Sequence, residues 1–165
     1  MIPSSTYRVQ VRPGFDLSAT ADLVSYLDRL GVGAVYTSPL LAATPGSTHG
    51  YDVVDPTRTN PELGGEAARR RLVSAVRSAG LGLVVDVVPN HMSVEVPAAN
   101  PWWWDVLTFG RSSRYARYFD IDFARGPILL PILGDEGSLE VRGDRLTYFD
   151  HEFPLAPGTG EGSAA

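Results

Sequence analysis

Cysteine is absent from this 165-residue chain, which excludes disulfides and thiolate metal sites. Lysine is absent as well. All fourteen basic residues are arginines, a compositional habit first and only weakly a functional sign. Positive charge is in the minority, 14 basic against 19 acidic residues, and phosphate backbones need clustered cations, so nucleic acid is a disfavoured partner. No uninterrupted apolar stretch approaches the roughly 20 residues of a spanning helix. The start, "MIPSSTYRVQV", has no basic segment followed by an apolar core, so no secretory signal is visible. A soluble cytoplasmic protein with no membrane partner is the expectation. What is present is 44% apolar residues, enough for one globular domain with a core.

Thr6 to Val11 alternates, with Tyr7, Val9 and Val11 on one face and Arg8, Gln10 and Arg12 on the other, which predicts a short strand stopped by Pro13-Gly14. Asp16 can cap a helix whose apolar positions are Leu17, Ala21, Val24, Leu27 and Leu30, with Gly31 beyond its last turn. "GAVYTSP" is a second strand. A long polar loop, "LLAATPGSTHGYDVVDPTRTNPELGG", exceeds a passive connection. A second helix is predicted from about Glu66 to Ala79, with Ala68, Leu72, Val76 and Ala79 inward and Gly80 as its stop. The stretch "LGLVVDVVPNHMS" supplies the third strand, with His91 just past its C-terminal end. Strand, helix, strand, helix, strand is the order of βαβ crossovers and a parallel sheet. After His91 the rhythm breaks into an aromatic, proline-punctuated segment, read as an inserted subdomain over residues 92–165 following a first part over residues 1–91. Short strands are expected there at Pro127 to Leu133, Leu139 to Val141 and Leu146 to Phe149, and the end, "GTGEGSAA", reads as a surface loop.

Asp86 interrupts an apolar run of the kind that marks a strand covered on both faces. An unpaired buried carboxylate is costly, so Asp86 must be paired, hydrogen-bonded or lining a wet pocket. His91 follows the C-terminal end of its strand, where parallel α/β folds place their sites. "STHGYD" follows the previous strand and emerges on the same face, so His49, Tyr51 and His91 can converge. An aromatic ring with imidazoles and carboxylates suits a polyhydroxylated ligand. The histidines lack the i, i+4 spacing of a helical zinc pair, which argues against a metal. Three consecutive indoles in "NPWWWDV" cannot all point into one core. Packing of the inserted segment accounts for at least two of them, and sugar stacking by Trp102, Trp103 or Trp104 is the alternative.

These residues resemble a known family. "STHGYDVVDP" and "DVVPNH" are similar to two motifs of the α-amylase family of (β/α)8-barrel glycoside hydrolases and transglycosylases. Together with "TYRVQVRPGF", "NPWWWDVL" and "YFDHEFPLAPGT", they resemble the malto-oligosyltrehalose synthases within it. The resemblance implies the first three strands and two helices of a TIM barrel, followed by an irregular inserted subdomain. It implies an intramolecular transglycosylation in trehalose biosynthesis, turning the reducing-end α-1,4 linkage of a malto-oligosaccharide, or of a glycogen-derived glucan, into an α,α-1,1 linkage through retaining chemistry. Tyr51 is then the platform under the sugar, and His49 and His91 bind its hydroxyls. Asp52, Asp86 and Asn90 support the loops, and no cofactor or metal is implied. A barrel needs eight strand–helix units and about 250 residues. The chain therefore reads as an N-terminal fragment without the nucleophilic aspartate or the acid/base glutamate, inactive alone. An α-amylase-family hydrolase or glucanotransferase, and a non-catalytic glucan-binding remnant, are the competing readings.

Overall fold

The structure, a computed structural model, describes residues 2–132, 134 and 139–160. The chain divides into two compact units, Met1–Ser93 and Val94–Ala165.

The first unit holds a parallel sheet in the order β1 (Thr6–Val9), β2 (Ala34–Thr37), β5 (Gly82–Val85). Its register aligns Arg8 with Tyr36 and Tyr36 with Val84. Because side chains alternate along a strand, Tyr7, Val9, Val35, Thr37, Leu83 and Val85 point to one face, and Arg8, Gln10, Tyr36, Val84 and Asp86 to the other. The first face carries the helices. α1 (Leu17–Leu30) begins at Asp16, whose carboxylate accepts the Ala19 N–H at 2.9 Å, and ends at Gly31 with φ 83°. An N-cap of this kind contributes about 1 kcal/mol. α2 (Gly65–Ser78) follows a 3-10 turn at Pro61–Leu63. Leu17, Val24, Leu27, Leu72 and Val76 close with Val9, Val11 and Val35 into one core.

Sequence periodicity finds both helices, with one exception on the inward list. Leu30 is 52% exposed, because it sits in the last turn of α1, past the end of the packed stripe. The stretch expected to be a long loop is instead built around an antiparallel pair, β3 (Leu41–Ala43) and β4 (Val53–Thr59), with register shifts between Leu41 and Ala43. Its tip, residues 44–52, carries "STHGYD". The third strand also departs from expectation. It ends at Val85, and it is an edge: Val84 and Val85 are each 39% exposed and Val87 63%. The apolar run is therefore not covered on both faces within the described residues, and Asp86 lies just beyond the strand, half-buried. Its N–H still donates to the Thr37 carbonyl at 3.0 Å, which extends the pairing by one residue.

The second unit is less irregular than its sequence suggests. α3 (Pro101–Phe109) is capped by the Asn100 side chain, which accepts the N–H groups of Trp102 and Trp103, and Pro101 occupies its first turn. Asn-Pro ahead of an aromatic run is a helix-start signal that the expectation of irregular chain overlooked. Three strands form an antiparallel meander, β6 (Leu139–Arg142), β7 (Arg145–Tyr148) and β8 (His151–Pro154). The first two match expectation. The turn between β7 and β8 contains Phe149 at φ 52°. The strand expected at Pro127 to Leu133 is absent over 127–132, where Leu129 is 85% exposed. Pro127 and Pro131 each lack the N–H that a ladder needs. Leu133 and residues 161–165 of "GTGEGSAA" lie outside the described residues.

Candidate functional site

The polar face of the parallel sheet meets the 44–52 tip at the C-terminal ends of the strands. Gly50 has φ 79°, and a Cβ there would lie 3.0 Å from the Pro39 carbonyl oxygen, so the tip passes close to the end of β2 only with glycine at this position. The next residue, Tyr51, swings its phenol down onto the sheet. Its hydroxyl donates to Asp86 Oδ2 at 2.5 Å and accepts from Arg8 Nη2 at 2.8 Å. Tyr36 donates to the same Asp86 oxygen at 3.2 Å, and Arg8 Nη2 lies 3.9 Å from it. The carboxylate is thus neither unpaired nor deeply buried.

His91 reaches the tip from the other side. Its Nε2 donates to the Tyr51 carbonyl at 3.0 Å, and its Nδ1 lies 2.9 Å from the Asn90 side-chain amide. The Tyr51 N–H donates to His49 Nδ1 at 3.1 Å, and the two rings stack with centroids 6.2 Å apart. Asp52 accepts from Ser47 at 2.5 Å and lies 3.6 Å from His49, closing the turn. His49, Tyr51, Asp52, Asp86, Asn90 and His91 therefore form one connected group. Sequence reasoning missed Arg8, Gln10 and Tyr36, which belong to it. The signal was there: the alternation of the first strand sets Arg8 and Gln10 apart from Tyr7, Val9 and Val11, and in a parallel sheet with helices on one side the polar face is the one that holds the site.

The tryptophans belong to the second unit. Trp103 is buried and meets Phe119 at 5.2 Å. Trp102 stacks on Tyr115 at 5.1 Å and 9° and touches Tyr118, and the Arg145 guanidinium lies over Trp104. All three indoles have partners within that unit. Among the described residues no group of three or more histidine, cysteine or carboxylate side chains could hold a metal, and no helix is long and apolar enough to cross a membrane.

The charges are mutually set. Donation from Tyr51, then from Tyr36, holds the Asp86 carboxyl below its usual range against the desolvation that pushes it up. The same bond, with desolvation, pushes the Tyr51 phenol up, and Arg8 pulls it back. Desolvation raises Asp55 too, but the Thr57 hydroxyl and N–H and the Arg58 guanidinium outweigh it and leave this carboxyl lowered. Both depressed carboxylates stabilise the folded chain at pH values above about 4, where an unfolded aspartate is ionised, and that contribution is lost as pH falls through their folded values. Melting temperature should therefore hold down to about pH 4 and drop below it, and Asp86→Asn should make the drop shallower. An equal acid slope in parent and variant would contradict the pairing.

Residues 6–124 match the alpha amylase catalytic domain family. The chain is 53% identical to a Mycobacterium tuberculosis protein assigned to maltooligosyl trehalose synthase, over 96% of this chain and 22% of that protein. It is 49% identical to the structure of the maltooligosyltrehalose synthase from Arthrobacter ramosus, with a TM-score of 0.93 over 98% of this chain and 22% of the other. The intracellular maltogenic amylase of Bacillus subtilis is 36% identical over 66% of this chain and 17% of its own. The chain thus spans 22% of the length of the curated synthase it matches.

Proposed function

The chain belongs to the alpha-amylase catalytic-domain family, and from this premise we propose that its β1, β2, β5, α1 and α2 are three strands and two helices of that barrel and that it forms the substrate-binding rim of a maltooligosyl trehalose synthase. In such an enzyme the reducing-end α-1,4 bond of a malto-oligosaccharide breaks. The glycosyl group returns to the anomeric hydroxyl of the released glucose, giving an α,α-1,1 bond, so the reaction is an isomerisation. The observation that carries this reading is extent: likeness to the synthases covers nearly the whole chain, including the second unit, whereas likeness to the maltogenic amylase covers two thirds of it.

In this reading Tyr51 is the platform under the sugar, His49 and His91 bind its hydroxyls, and Asp52, Asp86 and Asn90 hold the loops. Residues 92–165 act as a subdomain inserted after the third barrel strand, the tryptophans serve its packing and its sugar contacts, and the site of action is cytoplasmic. The bonds of the two carboxylates fit the loop-holding roles. Asp86 is bound to two phenols and Asp52 to Ser47.

The test is a graft. Placed in the Arthrobacter ramosus synthase in exchange for its equivalent segment, this chain should give an enzyme under which the reducing ends of maltohexaose disappear. A folded chimera that releases new reducing ends would favour the hydrolase. The 165-residue chain alone should leave reducing ends constant, and their loss would overturn its expected inertness.

A further inference from the structure

Tyr51 sits on a loop tip, yet its hydroxyl is held from beneath by Arg8 of β1 and by Asp86 just past β5, which Tyr36 of β2 also bonds. The phenol oxygen uses its proton on Asp86 and a lone pair on Arg8. Arg8 is fixed in turn: its Nη1 donates to Gln10 Oε1 at 3.0 Å, and its guanidinium lies over the Tyr36 ring, 5.4 Å from the centroid. Gln10 reaches the same tip, its Nε2 3.4 Å from the carbonyls of both Thr48 and His49. Arg8 of β1 and Gln10 just past it thus grip the loop at the phenol and at the backbone two and three residues before it. Neither Arg8 nor Gln10 belongs to the loop motifs that carry the sugar chemistry.

We propose that Arg8, supported by Gln10, is a positioning residue that fixes the plane of the Tyr51 ring for a glucan, acting through the phenol oxygen without touching the sugar. The consequence for the glucan rests on the functional reading above, and the fixing of the phenol does not. A loop aromatic that must order on binding loses affinity to that ordering, and an arginine with a planar fork is well suited to remove the loss in advance.

The phenol reports its own neighbours. Arg8 on β1, Tyr36 on β2, Asp86 and His91 after β5, and His49 and Asp52 in the tip are the titratable groups around it. Tyrosinate absorbance followed against pH, with the Tyr51→Phe trace subtracted, isolates the titration of Tyr51. Asp86→Asn should move it to lower pH and Arg8→Ala to higher pH, because the carboxylate opposes the tyrosinate and the guanidinium favours it. Opposite signs are the signature of a phenol held between the two. Shifts of the same sign, or none, overturn the proposal. If Arg8→Ala does not fold, Arg8→Gln keeps the size and removes the charge, and the same upward movement is required of it. In the second arm, maltohexaose binding is measured on the folded chain. Arg8→Ala should weaken it roughly threefold, the net worth of one hydrogen bond, while Arg77→Ala on α2 leaves it unchanged. Equal affinity in parent and Arg8→Ala overturns the role in glucan binding. A parent chain that binds no maltohexaose counts against the functional reading, and the titration still decides whether Arg8 fixes the phenol.

Discussion

Leu72→Ala should destabilise the first unit by about 2–5 kcal/mol, the range for truncating a fully buried leucine. Leu72 has no exposed surface and stands on α2 in the same cluster as Leu27 and Val24 of α1 and Val9 and Val35 of the sheet. The loss combines the transfer free energy of three carbons with a cavity that two rigid helices and a sheet cannot close. Small domains are stable by about 5–15 kcal/mol in total, so one such change removes a large fraction. Urea denaturation followed by circular dichroism measures it. Arg70→Ala on the exposed side of the same helix, where the side chain is 78% exposed, should change the unfolding free energy by no more than about 0.5 kcal/mol. Equal shifts for the two variants would mean that α2 is not seated on this core.

Tyr51→Ala should reduce the affinity for maltohexaose about tenfold, the equivalent of about 1.4 kcal/mol for one aromatic face. The fold should survive the change. Removing the phenol leaves Arg8 and Asp86 3.9 Å apart, close enough to pair directly, and the His91 bond to the residue-51 carbonyl does not depend on the side chain. Tyr51→Phe keeps the ring and loses both phenol bonds, so its binding loss should be smaller than that of alanine. Isothermal titration of the three proteins separates the cases. Alanine and phenylalanine variants that bind alike would show that the hydroxyl, not the ring, carries the contact.

The parts legible in the sequence are those with a period. α1 and α2 announce themselves through apolar residues at helical spacing and through Asp16 and the terminal glycines, and the parallel strands through their alternation with those helices. The antiparallel pair β3/β4 was hidden because β3 has three residues, the register shifts within it, and Pro56 interrupts β4. A proline also closes β8 at Pro154 and hid that strand. Of the candidate site, the loop residues were legible because they stand in compact motifs. Arg8, Gln10 and Tyr36 were not, because a polar residue on a strand looks the same whether it faces solvent or a site. Only the register across three strands tells them apart. The depth of Asp86 was misjudged for a related reason: an apolar run shows what a strand can face, and β5 is an edge within the described residues.

The order β1-β2-β5 also bears on how the chain acquires its shape. Each pairing joins a strand to the next strand of the same sheet, Thr6 with Ala34 across α1 and Ala34 with Gly82 across the β3/β4 pair and α2, and no later segment has to thread between earlier ones. Such a sheet can wind up in the direction of synthesis, α1 closing β1 onto β2 before β5 has been made, each closure spanning a long loop whose entropic cost rises only slowly with its length. Among the described residues β5 pairs on one side only, with β2, and an edge of half-exposed valines is the kind of surface on which another strand can pair.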